Sequence, residues 1–370
     1  MSTSAHTERT DSKPHGRDTL YEDEQWWASR YLWLLEHGYM LRPRFRPNWS
    51  PSWIGTKKDP REFEDGQFSL LSNLLDATAR DGTFVMLKRI DRKLHPYEVD
   101  ITTKLSSPEL QADPRNRSIP VLEVLDIVPE EPDSVILVTP LMSAINQPVI
   151  ETIGEFVAFY TQVLEGLQFL HSHHIAHRDF FGTNMVMDAT PLYSAPFHPL
   201  DPSRRRDWSG KTEHCTRTER PVRYYIIDYG ISRQFEGNEA NPLVPTIIGA
   251  DKSVPEHQGM RGFQPCNPFA TDIYTAGNTV NEFFASRAQG FDFMQPLVSD
   301  MMQDDPSKRP TIDEVVQRFE ELRSTLSVDK LRSRVVDRLT MYPSFSSTRV
   351  RLRKLVYTLT KTPPIPDPHP

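Results

Sequence analysis

Cysteine is nearly absent: two residues in 370, Cys215 and Cys266, leave no disulfide framework and no cysteine-built zinc site. No run of about 18 apolar residues occurs, so the sequence offers no membrane span. The opening stretch MSTSAHTERTDSKPHGRD lacks the apolar core of a signal peptide. These absences fit a reducing, intracellular setting, cytoplasmic or nuclear. A basic excess is missing as well. Lys and Arg number 43 against 50 Asp and Glu, a net charge of −7, which argues against a dedicated nucleic-acid binder that must displace counterions. What remains is an ordinary globular composition, 37% hydrophobic and 25% charged, in a chain long enough to bury a proper core.

Residues 1–19 are polar and unpatterned, and the end (TKTPPIPDPHP) is rich in proline, so both are expected to be disordered tails. Within 20–65, Trp27, Tyr31 and Leu34 stand at helical spacing and predict a helix over 22–37. Prolines 43, 47 and 51 then force an extended or looped segment. Residues 66–142 carry strand-like runs at 74–77, 84–90, 121–127 and 135–139, with a hairpin signal at Asp81-Gly82 and one helix over 98–105 stopped by Pro108. Residues 143–325 turn helical: Phe156, Phe159, Val163, Leu167 and Leu170 line one helix face, and Thr311-x-x-Glu314 is a capping box. Residues 326–370 form a basic extension. A β-rich part followed by a helical part makes two lobes, and a cleft between lobes is a natural ligand site.

The strongest chemical signal is His177-Arg178-Asp179-Phe180-Phe181-Gly182-Thr183-Asn184. An Asp five residues before an Asn suits phosphoryl transfer: the Asp orients a hydroxyl and accepts its proton, and the Asn offers a neutral oxygen to magnesium. A second carboxylate follows an apolar strand in Tyr225-Ile226-Ile227-Asp228-Tyr229-Gly230. Magnesium takes oxygen ligands and keeps its waters and phosphates, so Asn184 and Asp228 suffice as the metal-binding pair.

These segments resemble the catalytic loop and the Asp-Phe-Gly motif of eukaryotic protein kinases, with Tyr229 in place of Phe. Val254-Pro255-Glu256 resembles the family's Ala-Pro-Glu motif. Asp272-Ile-Tyr-Thr-Ala-Gly277 resembles the helix start that anchors the catalytic loop. Asp305-Pro-Ser-Lys-Arg309-Pro resembles the late motif whose Arg pairs with that Glu. The insert and tail are similar in style to the kinase-like proteins of mushroom-forming fungi. The resemblance implies an α+β, two-lobed kinase-like fold, with a small β-rich lobe over 66–142 and a larger helical lobe over 143–325. It implies ATP and Mg as cofactors and a protein substrate. Asp179 would be the base and Asn184 and Asp228 the metal ligands. Lys88, in Phe84-Val85-Met86-Leu87-Lys88, would hold phosphates, with Glu98 as its ion-pair partner in preference to Glu109. Thr139 and Leu141 would offer backbone groups to adenine.

Departures from the family pattern bear on activity. Counting back from Lys88, Gly66 stands where the first glycine of the phosphate roof belongs, but Phe68 and Leu71 occupy the places of the next two, where backbone amides approach phosphates only if side chains are absent. Phe181 takes the place of a Lys, and Thr183 that of the Arg some kinases use, so a transition-state cation is missing; Lys252 is a candidate replacement. The stretch between Asn184 and Asp228 is long and predicts a surface insertion over about 190–222. Arg178 would pair with a phosphorylated residue, Ser232 or Thr246. Three functions follow: an active Ser/Thr-directed protein kinase, a nucleotide-binding or scaffolding pseudokinase, and a small-molecule phosphotransferase, the last disfavoured by the Glu256 and Arg309 motifs. His171, His173, His174 and His177 are discounted as a zinc site. The basic stretch around Arg349, Arg351, Arg353 and Lys354 is assigned to a solvated face rather than to lipid or nucleic acid.

Overall fold

The computed structural model describes residues 17–69, 71–126, 128–237, 242–336 and 347–368. Its architecture is mixed α and β, in two compact units, 1–85 and 86–370, whose division falls inside a strand.

The first unit holds α1 (Glu22–Ser29), α2 (Tyr31–Glu36), β1 (Tyr39–Leu41), β2 (Leu74–Ala79) and the first residues of β3 (Phe84–Asp91). The helix expected over 22–37 breaks at Arg30, whose backbone leaves the helical region at φ −103° and ψ 8°. Its guanidinium turns back to the Trp26 carbonyl at 3.1 Å. Trp27, Tyr31 and Leu34 are buried all the same, as their spacing requires. Arg44 is buried too and is held by Glu24 in a bidentate pair at 2.6 and 2.8 Å, the geometry a buried guanidinium needs. β1 runs antiparallel to β2 with Tyr39 opposite Ala79. After β2, Gly82 (φ +85°) makes the tight turn, and the Asp81 carboxylate accepts the Thr83 amide at 2.9 Å. Residues 17–19, expected within a disordered tail, pack onto this unit: Asp18 accepts the Trp53 indole N–H at 2.7 Å. Residues 1–16 lie outside the described residues.

In the second unit β3 is followed by α3 (Glu98–Leu105), α4 (Pro108–Gln111), β4 (Glu123–Leu125) and β5 (Ser134–Pro140). The strands are ordered β3-β5-β4, with Val124 opposite Leu137. Of the strand expected over 121–127 only β4 forms, and Ile127 lies outside the described residues. Ile90, Val99, Val135 and Leu137 make a small apolar cluster here. Then come β6 (Ser143–Ala144), α5 (Ile153–Ser172), β7 (Ile175–Ala176), β8 (Met185–Met187), β9 (Phe197–His198), β10 (Asp201–Arg205), β11 (Tyr224–Ile226) and β12 (Arg233–Gln234). The remaining helices are α6 (Pro268–Val280), α7 (Gln295–Met301), α8 (Ile312–Thr325), α9 (Val328–Leu331) and α10 (Ser347–Leu359). The large core gathers around α5, whose Phe156, Phe159, Val163, Leu167 and Leu170 are all buried. Thr152 caps α5, and Thr311 and Glu314 close a reciprocal box on α8.

Two segments differ from expectation. The insertion carries an antiparallel hairpin, β9–β10, but its returning limb is not a surface feature. Arg217 is 2% exposed and donates to the carbonyls of Ile145 and Pro148 at 2.6 and 2.7 Å, while Thr218 donates to the buried Glu155 carboxylate at 2.9 Å. The proline-rich end also packs. Thr362 O accepts from Arg332 at 2.6 Å, and Ile365 lies against the main core.

Candidate active site

Both β8 and β11 are short, and they pair antiparallel with Tyr225 opposite Val186. This brings the ends of two chain segments together: Asp179 to Asn184 before β8, and Asp228 just after β11. The Ile227 amide donates to the Asn184 carbonyl at 3.0 Å, which ties the two segments at the site itself.

Asp272 organises the loop. It is fully buried in α6 and accepts the His177 amide at 2.8 Å, the Arg178 amide at 2.7 Å and the His171 Nε2 at 3.0 Å. A buried carboxylate is tolerated only when so satisfied, and here the donors are the backbone it must position. Arg178 holds φ +67°, a conformation uncommon outside glycine, and is over-determined by these bonds. Its guanidinium donates to Pro245 O at 2.7 Å, next to Thr246. Ser232, the other phosphorylation candidate, is 2% exposed and its hydroxyl donates to His177 O at 2.9 Å, so it is out of reach of a modifying enzyme.

Asp179 is fixed from two sides. Asn184 Nδ2 donates to its Oδ2 at 2.8 Å and to its backbone carbonyl at 2.9 Å. The Ala250 amide donates to Oδ1 at 2.6 Å. Gly249 lies so close that an added Cβ would collide with Oδ1 and stand 2.8 Å from Cγ. Lys252 bonds the Gly249 carbonyl rather than the Asp179 carboxylate. The donor that this segment offers to the carboxylate is a backbone N–H, that of Ala250. Phe181 is accounted for by packing: its ring meets Phe283 edge-on at 5.4 Å. Gly249→Ala is expected to lower any turnover that needs Asp179 by about 10–100-fold with the melting temperature nearly unchanged, since the displaced group is the side-chain end. Parallel rate and melting measurements check this.

Lys88, Glu98 and Asp228 form the second half of the site. The Lys88 ammonium bonds Glu98 Oε1 and stands 2.8 Å from Asp228 Oδ1. The Glu98 side chain is 2% exposed and the Asp228 side chain 45% exposed, so the first pairing is the buried anchor and the second faces solvent. Glu109, on α4, is exposed. Burial opposes the charge on Lys88, but the two carboxylates outweigh it and raise its pKa. For Glu98 burial prevails over Lys88 and pushes the carboxyl upward. Asp228 is pushed upward by burial, yet the Lys88 ammonium, His177 and the Gly230 amide together hold it below the usual aspartate value. Space at Gly230 is tight: a Cβ there would stand 3.0 Å from His95 Nδ1, 3.1 Å from Asp228 Oδ1 and 3.3 Å from Glu98 Oε2.

Sequence reasoning missed three contributors. His95 Nδ1 lies 2.9 Å from the Gly230 carbonyl and links the start of α3 to the Asp228 turn. The Ser118 hydroxyl accepts the Tyr229 phenol at 2.8 Å, which satisfies the polar end of a buried Tyr. The Ala250 amide has no side-chain signature at all. Glu256 and Arg309 do meet, at 2.8 and 2.6 Å in a bidentate pair. Thr139 is buried one residue before the end of β5, with Leu141 just beyond the strand. Gly66 sits in a 3-10 turn of the first unit, where a Cβ would run into the Pro60 carbonyl, so packing alone requires a glycine there.

As a cation site, Asp228 and Asn184 present only oxygen. With Nδ2 of Asn184 committed to Asp179, its Oδ1 is the remaining amide oxygen, a donor set suited to a hard ion such as Mg. Among the described residues no group of three or more His, Cys, Asp or Glu is arranged to hold a metal. His171 and His177 are instead committed to Asp272 and to Ile227 O.

No family model matches the chain. Over 144 residues, 38% of its length, it is 28% identical to mitogen-activated protein kinase kinase kinase 15 of Mus musculus. The matching stretch spans 8% of that protein. The similarity is thus to part of a protein kinase, and it agrees in class with the resemblance carried by the motifs.

Proposed function

We propose that the chain is an ATP-dependent protein kinase that moves the γ-phosphate of Mg-ATP to a protein hydroxyl, Ser or Thr by default. The observation that carries this reading is one ammonium, Lys88, shared by a buried carboxylate, Glu98, and a half-exposed one, Asp228. Such an arrangement holds a cation ready for phosphate oxygens and keeps a half-exposed carboxylate beside it to meet a metal. The reading calls for the two-lobed fold that the sequence motifs imply.

In this reading the acceptor hydroxyl donates to Asp179, its oxygen bonds the γ-phosphorus, the bond to the β-phosphate oxygen breaks and ADP leaves. The hydroxyl proton ends on Asp179. Asn184 keeps that carboxylate aimed through Nδ2. Asp228 and Asn184 are the residues that would hold Mg, which neutralises phosphate charge when bound. Lys88 steadies the phosphates, and the backbone of Thr139 and Leu141 receives adenine.

The test is nucleotide affinity. Lys88→Met removes a charge-assisted contact worth about 1.5–3 kcal/mol, so the Kd for Mg-ATP should rise by about 10–100-fold. Titration calorimetry reads it; equal affinity in wild type and variant would remove Lys88 from the site.

The pseudokinase reading has its own support. Phe181 is a packing residue where a cation belongs, and the Ala250 amide occupies the Asp179 oxygen that an acceptor hydroxyl would use. It calls for metal-dependent ATP binding without transfer to any protein.

A further inference from the structure

The C-terminal helix carries an apolar stripe that the chain itself does not cover. In α10, Leu352, Leu355, Val356 and Leu359 are spaced i, i+3, i+4 and i+7 and so share one face. They are 63%, 55%, 46% and 73% exposed. The helix is held to the protein by another face. Tyr357 is buried there with its hydroxyl 2.9 Å from Thr216 Oγ1, and Arg353 pairs with Glu151 at 3.1 Å. The four apolar side chains are therefore not needed for docking the helix, and four leucine-class groups grouped on a surface mark an interaction site.

Charge identifies the partner. From 338 to 366 the sequence holds six basic residues (Arg338, Arg349, Arg351, Arg353, Lys354 and Lys361) and no Asp or Glu. Of these, Arg353 is engaged by Glu151, Lys354 meets the exposed Asp329 at 3.0 Å, and Lys361 is exposed. A second copy of this helix would set like charges against each other. Nucleic acid would match the charge and leave the leucines in water. An anionic lipid surface takes both an apolar stripe and a basic segment. Thirteen residues make a helix about 20 Å long, too short to cross a bilayer, so the helix lies flat.

We propose that α10 is an interfacial helix that binds the chain to anionic membrane surfaces. This does not depend on the kinase reading. Exposed leucines at helical spacing accompany the charge that the sequence alone assigns to a solvated face.

The experiment is co-sedimentation of the full chain with phosphatidylcholine vesicles containing or lacking about a third phosphatidylserine. Wild type should pellet with the anionic vesicles only, and binding should fall steeply as salt is raised. The double variant Leu355→Ser/Leu359→Ser should lose about tenfold or more in partitioning, with an unchanged melting temperature because both sites are exposed. No pelleting of wild type, equal pelleting with neutral vesicles, or a variant that binds as well as wild type would each overturn the proposal. Concentration-dependent dimerisation lost in the variant, with no vesicle binding, would overturn it in favour of a second copy.

Discussion

Asp179→Asn lowers phosphate transfer about 10²–10⁴-fold while leaving Mg-ATP affinity within about twofold. The separation follows from the geometry. Asp179 is bonded by Asn184 and the Ala250 amide, and among the described residues no hydrogen bond or ion pair joins it to the Lys88 cluster. An amide at this position cannot take the acceptor proton, and its Nδ2 would face one of two fixed donors, so one hydrogen bond is lost as well. Single-turnover kinetics paired with nucleotide titration reads the two effects apart. A parallel fall in affinity would assign Asp179 to nucleotide binding instead.

Arg309→Ala is expected to cost about 3–5 kcal/mol of stability, a fall in melting temperature of about 10 °C for a unit of this size. The Arg309 side chain has no exposure and that of Glu256 only 8%, and each guanidinium NH2 group meets one carboxylate oxygen. Removing the arginine leaves an uncompensated buried carboxylate. It also frees the carbonyls of Gln303 and Ala270, which Arg309 bonds at 2.9 and 2.8 Å. Replacing both residues with apolar ones of similar volume should cost less than the single change, since no charge then stays buried. The same pair sets an acid limit. Burial pushes Glu256 upward, but the hydrogen bonds and charge of Arg309 prevail and hold its pKa below the ordinary 4.5. The stabilisation is thus present above pH 4.5 and is lost as pH falls through the lowered value. In Arg309→Ala, stability between pH 3 and 5 should fall less steeply on acidification than in wild type, as denaturant melts at each pH will show.

What the sequence made legible was what side-chain pattern controls. The helix from Glu98 to Leu105 was readable because its apolar positions repeat at helical spacing and Pro108 cannot continue it; the structure has Pro108 opening a separate turn of helix. Glu98 was chosen over Glu109 on that argument, and its carboxylate is the one on Lys88. The break at Arg30 was not readable, since nothing in Ala-Ser-Arg-Tyr forbids helix. Arg217 was expected on the surface only as part of a long insertion. Its burial depends on carbonyls of a distant loop, information no local pattern contains. The Ala250 contact was invisible for a different reason: every residue but proline has that N–H. Gly249 was the only available hint, as a residue too small to push Asp179 aside.

Transfer of labelled γ-phosphate from Mg-ATP by the purified chain tests the account most directly, with generic Ser/Thr substrates and autophosphorylation followed together. The kinase reading predicts label on a protein hydroxyl that both Asp179→Asn and Asp228→Asn abolish. Metal-dependent ATP binding with no label on any protein would contradict it and leave Lys88, Glu98 and Asp228 as the parts of a nucleotide sensor.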